Sequence, residues 1–276
     1  MVGGLAAGGV AGGARLLSDD SPHPSEGLRL AFDEGFASLD GFDLTGHGAR
    51  GKTWFLDRPF GWGKTRADEI SAADGVLTLS PRSTSRNYTI ATMSPTTGAG
   101  KSFLHGYFEA RMSFDPIDAT ASDGFPAFWA LAAQQFLHMD QTRSMEVDFF
   151  EAMHPTGRSG IHPDDTFAGT AHDMLLVPTE VDRANYGDNT RQLRGVDWTQ
   201  FHDYGCKWSP GRLEWFFDDQ PLMSLAFGED VEPSPNSSSL PKGIFSPLEQ
   251  DRKGLVVVLG TGVNYPLRVE RVRVWQ

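Results

Sequence analysis

Apolar residues in this chain do not recur at helical spacing; they alternate with polar ones or run unbroken over short stretches. Such stretches at 28–32, 76–79, 88–93, 103–114, 127–132, 145–153, 167–174, 201–208, 212–217, 221–227, 255–259 and 267–275 read as strands, with Gly, Pro, Asp or Ser punctuating between them. Two segments hint at helix, one near 134–139 and one within 180–193, and both fall where long loops would decorate a sheet. About twelve strands with almost no amphipathic helix predict an all-β chain, a two-sheet antiparallel β-sandwich or jelly roll.

No repeat or linker divides the pattern, and the Pro/Ser-rich stretch 232–241 reads as a surface loop. A chain of 276 residues fits one such domain, set here at 27–276. Residues 1–26 read as a leader-like or disordered segment: 1–14 are mostly Gly, Ala and Val, like the small-residue part of an export signal, with no Lys or Arg before them. The expectation is a secreted or periplasmic protein. No apolar run approaches the roughly 18 residues a bilayer span needs, so a membrane protein is not expected.

The chemistry is concentrated in Met145-Glu146-Val147-Asp148-Phe149-Phe150-Glu151-Ala152-Met153. Period two puts Glu146 and Asp148 on one face of a strand. Regular pleating would send Glu151 to the other face, but one extra residue at Phe149-Phe150, a β-bulge, returns it to the side of the first two acids. Like charges this close raise one another's pKa, so selection for stability alone would avoid the cluster. Glycoside hydrolysis has a use for it: one carboxylate attacks the anomeric carbon, a second protonates the leaving oxygen, and a third tunes the pair. The alternative is the wet face of an amphipathic strand. Upstream, Gly124-Phe125-Pro126-Ala127-Phe128-Trp129 offers aromatic faces on which sugar rings stack, with core packing the competing reading for Trp129.

Charge narrows the ligand class. With 36 acidic against 24 basic residues the net charge is −12, which repels a phosphate backbone and excludes nucleic acid as the expected partner. Cys206 is the only cysteine, so no intramolecular disulfide braces the fold. Gly61-Trp62-Gly63-Lys64-Thr65 ends like a phosphate-binding loop, but Arg58 stands where its first glycine belongs; Trp62 reads instead as a wall of a sugar cleft or as buried packing. His154, His162 and His172 match no zinc spacing.

Glu146-Val147-Asp148-Phe149-Phe150-Glu151 resembles the Glu-x-Asp-x-x-Glu signature of glycoside hydrolase family 16. Residues 106–111 with 124–129 resemble that family's lead-in to the catalytic strand, Thr170-Ala171-His172 its following strand, 201–208 with 213–221 its later hairpin, and 269–276 its terminal strand. The resemblance covers roughly 28–276 in the right order. It implies a concanavalin A-like jelly roll whose concave face forms an open, endo-acting cleft. It also implies retaining double displacement, with Glu146 as nucleophile, Asp148 as assisting carboxylate and Glu151 as acid/base. Trp129 would sit by the sugar at the scissile bond, Phe125 and Trp62 would wall the cleft, and His172 would reach across the bond or serve structure alone. No cofactor is required. A structural calcium on the far face would take oxygen ligands from Glu34 and Glu270. The implied partner is a polysaccharide and the implied state a monomer.

Two departures bear on substrate. Phe125 stands where many members have Trp, and Leu259-Gly260-Thr261-Gly262-Val263-Asn264-Tyr265-Pro266 lacks the Gly-Gly-x-Trp-Pro pattern common in laminarinase-like members. The bulged motif resembles laminarinase-like or galactan-active branches, which makes a β-1,3-glucan or a galactan the expected polymer. Two other functions fit the same fold: a non-catalytic carbohydrate-binding module, against which the presence of all three acids counts, and a transglycosylase, which uses the same residues.

Overall fold

The computed structural model describes residues 22–57, 64–82, 88–115, 125–137, 143–152, 166–177, 180–226, 254–262 and 265–276. The strands in chain order are β1 (Leu30–Glu34), β2 (Phe42–Asp43), β3 (Trp54–Phe55), β4 (Ile70–Ala73), β5 (Val76–Leu79), β6 (Tyr88–Ala91), β7 (Gly106–Phe114) and β8 (Ala127–Ala132). They continue with β9 (Arg143–Glu151), β10 (Thr166–Val177), β11 (Glu180–Gln192), β12 (His202–Ser209), β13 (Arg212–Phe217), β14 (Gln220–Ala226), β15 (Leu255–Thr261) and β16 (Leu267–Trp275). One short helix, α1 (Ala133–Leu137), follows β8.

The strands form two eight-stranded sheets. The first runs β14-β13-β12-β7-β16-β5-β4, with β1 also on β16; the second runs β11-β10-β9-β8-β15-β6-β3-β2. Period-two burial explains the layering. On β13, Leu213, Trp215 and Phe217 are buried while Arg212, Glu214 and Phe216 are not, so one face turns to the second sheet and the other to solvent. On β16 the alternation changes phase at Glu270, where a register shift between Val269 and Arg271 relative to β7 absorbs one residue.

The inter-sheet core is aromatic, and the doubled phenylalanine of β9 lies in the middle of it. Phe149 packs on Phe108 and Phe128 with ring centroids 5.0 and 4.9 Å apart, and Phe150 on Tyr204 at 4.3 Å. β8 and β15 are buried on both faces. Their outer face is covered by a second, smaller cluster that includes Ala91, Met93, Trp129, Leu131, Phe136 and Val258, to which α1 contributes Phe136.

The segment 180–193 corrects one expectation: 180–192 is not a helix but β11, paired antiparallel with β10 from Val177↔Glu180 to Thr166↔Gln192. Its Asp, Asn, Gly and Thr residues are weak helix formers, and the backbone pairing offered by β10 decides the outcome. The other helical expectation is met by α1, shifted toward the N-terminus. β2, β3 and β4 were not anticipated, and the first strand lies two residues later than its pattern suggested. Among the described residues no helix is long and apolar enough to cross a membrane.

Candidate active site

β9 carries the bulge that its sequence implies. Against β8 the register runs Ala127↔Glu151 and Phe128↔Phe150, then jumps to Trp129↔Asp148; against β10 it jumps between Ala168↔Glu151 and Thr170↔Asp148. Phe149 and Phe150 are therefore both fully buried on the core side, and Glu151 returns to the outer face with Glu146 and Asp148. The three acids line one open hollow of about 380 Å³, together with Phe125, Ala127 and Trp129 and with Thr89, Gly260 and Thr261 from β6 and β15.

The acids differ in depth: Asp148 is 2 % exposed and Glu146 9 %, while Glu151 is half-buried. His172, opposite Glu146 on β10, brings its Nε2 to 2.8 Å from Asp148 Oδ2 and 3.8 Å from Glu146 Oε1. The imidazole thus binds the deepest carboxylate and leans on its neighbour, which holds both on the hollow's floor. Trp129 meets both of its readings at once, since it packs in the outer cluster at 6 % exposure and still lines the hollow. Half-buried Phe125 forms another part of the wall. Trp62, His154 and His162 lie outside the described residues.

Thr89, Gly260 and Thr261 were missed by sequence reasoning. Gly260 matters by what it lacks: a Cβ there would stand 3.1 Å from Thr89 Cγ2 and 3.5 Å from Trp129 Nε1, narrowing the hollow. Thr261 Oγ1 donates to the Tyr265 carbonyl, tying the end of β15 to the chain beyond it.

Glu34 and Glu270, expected to offer oxygens to a cation, each have one carboxylate oxygen engaged within the protein. Glu270 Oε2 accepts from Arg111 Nε at 2.8 Å, so a guanidinium already neutralises it, and Glu34 Oε1 accepts the Phe36 amide at 3.0 Å. Among the described residues, the His/Asp/Glu groups with ligand atoms within 4.8 Å of one another are Glu146-Asp148-His172 and His23-Glu109-Asp219, and neither glutamate belongs to them.

In comparison with known proteins, the model of glycosyl hydrolases family 16 matches residues 60–240, about two thirds of the chain. The chain belongs to glycosyl hydrolases family 16. Among curated proteins, an endo-1,3-1,4-beta-glycanase of Rhizobium meliloti (strain 1021) is 28 % identical over 172 residues, covering 60 % of this chain and 32 % of its own. The chain thus spans about a third of the length of that curated relative. Among solved structures, the catalytic domain of an endo-1,3-beta-glucanase (laminarinase) from Thermotoga petrophila RKU-1 aligns with a TM-score of 0.53 at 15 % identity, over 90 % of this chain and 98 % of that one. Porphyranase B from Zobellia galactanivorans aligns with a TM-score of 0.54 at 15 % identity, over 93 % and 99 %. At such identity the likeness speaks to the family 16 fold, a two-sheet jelly roll, and not to the substrate.

Proposed function

We propose that this family 16 chain is a retaining endo-β-glycosidase acting on a β-1,3-glucan or a galactan. The observation that carries the reading is the bulge on β9, which gathers Glu146, Asp148 and Glu151 on the floor of a hollow walled by Phe125 and Trp129. In the first step the Glu146 carboxylate bonds to the anomeric carbon while the glycosidic C–O bond breaks and Glu151 gives its proton to the departing oxygen. In the second, water passes a proton to Glu151 and attacks the same carbon, releasing Glu146. Asp148, held by His172, keeps the nucleophile oriented. Glu146 and Glu151 are five positions apart across one bulge, on the order of 11 to 14 Å between Cα atoms at about 3.3 Å per residue. Two glutamates leaning together from that distance reach the roughly 5 to 5.5 Å carboxyl separation of retaining enzymes.

An open hollow on a sheet face suits internal attack on a long chain. A polymer too large to enter a cell also suits secretion or a periplasmic location. Of the compared proteins, the endo-1,3-beta-glucanase (laminarinase) is named for the first polymer proposed, whereas the endo-1,3-1,4-beta-glycanase is named for a mixed linkage, which the test panel therefore includes. The test is a panel of laminarin, mixed-linkage glucan, agarose and other galactans with chromatography of the products. A ladder of oligosaccharides from one polymer is expected. Tight binding without cleavage of any member would replace the hydrolase with a carbohydrate-binding module.

A further inference from the structure

Trp215 sits on β13, in the sheet opposite the acids, and is fully buried. Its indole crosses the core, and Nε1–H donates to the backbone carbonyl of Asp148 at 2.8 Å. That carbonyl lies where the β9 bulge begins, at the step where pairing with both neighbouring strands loses register. The same ring fills the space beside Gly169, the β10 residue that faces the bulge. A Cβ on Gly169 would lie 2.5 Å from Trp215 Nε1 and 2.6 Å from its Cδ1, with Met223 Cε also at 2.5 Å. Trp215 and Gly169 therefore fit as a pair, and only a side-chain-free residue on β10 lets the indole reach β9.

A bulge interrupts the ladder, and an interior carbonyl left without a donor costs about 1 to 3 kcal/mol. Register matters more here than on an ordinary strand, because a slip of one residue exchanges the faces of every side chain beyond it. Without the bulge, Glu151 would turn toward the inter-sheet core and leave the hollow. We propose that Trp215, seated against Gly169, is a positioning residue for the reaction: it pins the bulge from the core and so fixes Glu151 on the face of Glu146 and Asp148. This rests on the catalytic reading above, but the pin itself is a structural claim with its own readout.

The experiment replaces Trp215 with benzothienylalanine, which keeps the bicyclic shape and lacks the N–H, alongside Trp215→Phe. Hydrogen–deuterium exchange by mass spectrometry and steady-state kinetics on the polymer found by the panel are measured for both. Loss of the donor should speed exchange roughly tenfold in the peptide spanning 146–151 and leave other core peptides unchanged. Turnover should fall roughly tenfold or more with KM within twofold, because the substrate walls are untouched. Gly169→Ala, which displaces the indole from the other side, should give the same signature. Unchanged exchange over 146–151, a uniform rise in all core peptides, or wild-type turnover in the benzothienyl variant would each overturn the proposal. If the wild type cleaves no β-glycan, the catalytic reading fails on its own, and the exchange result still decides whether Trp215 holds the bulge.

Discussion

β7 carries one buried acid and β9 carries two, on the outer faces of their sheets and so on opposite sides of the molecule. On β7, Glu109 is 1 % exposed and sits in a net of arginines, with the His23 imidazole Nε2 also 3.3 Å away. Arg271 reaches Glu109 at 3.3 Å and Asp203 at 2.8 Å, and Arg111 reaches Asp203 at 3.0 Å and Glu270 at 2.8 Å. Burial, and then the neighbouring Asp203, still push the Glu109 carboxyl up, with Arg271 opposing them. On β9, Glu146 and Asp148 are about as deep, but the group against them is the His172 imidazole, and a third carboxylate is brought back to join them by a bulge. Arginine nets make buried acids tolerable as structure. Carboxylates collected around a hollow, with a titratable partner, are an arrangement that proton transfer requires and stability does not.

The sharpest way to break this contrast is Glu146→Ala. Turnover on the polymer should fall by roughly 10⁴-fold or more while the melting temperature stays near that of the wild type. A variant keeping a tenth of wild-type turnover would show that β9, like β7, holds its acids for structure. Glu151→Gln should cost roughly 10² to 10³-fold on the polymer, yet spare aryl glycosides whose leaving groups need little protonation. Equal losses on both substrates would remove Glu151 from the acid role.

Glu109→Gln probes the other side. It removes a carboxyl whose charged form burial and Asp203 disfavour, and Arg271 keeps Asp203 as a partner, so turnover should stay within twofold and the fold should lose no more than about 1 kcal/mol in denaturant unfolding. A large fall in turnover at unchanged stability would erase the distinction.

Asp43 on β2 shows a third way of keeping a buried carboxylate. Burial pushes its pKa up, but hydrogen bonds from the Thr45 hydroxyl and from the amides of Ala49, Gly48 and Thr45 outweigh it and bring the value down to about 2. A depressed folded-state value means stability that is present above the unfolded pKa near 4 and lost as pH falls from there through about 2. Asp43→Asn should therefore cost about 2 kcal/mol at pH 7, with the deficit shrinking toward zero as the pH approaches 2. Urea unfolding at pH 7 and pH 3 checks it, and a deficit of equal size at both would assign the effect to packing.

The parts of this account that were legible in the sequence depend on local period. Alternation over 212–215 and, with a change of phase at Glu270, over 267–274, together with unbroken apolar runs such as 127–132, marks strands without knowledge of their partners. The bulge was legible because Phe149-Phe150 breaks the alternation and Glu151 follows at once. The rest depends on distant pairing. Strand β11 exists because β10 lies beside it, and β2 and β3, two residues each, are too short to show any period. Thr89 and Thr261 reach the hollow only through the order β8-β15-β6. The Trp215 contact joins residues 67 positions apart, and on its own strand this tryptophan reads as ordinary core.

Glu146 and Glu151 are proposed to act from one face as a retaining pair, and the stereochemistry of the first product tests that directly. Proton NMR during the first minutes of hydrolysis of a β-linked polymer should show the β-anomer of the new reducing end before mutarotation brings in the α form. An initial α signal would mean a single displacement by water, and would contradict both the double-displacement mechanism and Glu146 as its nucleophile.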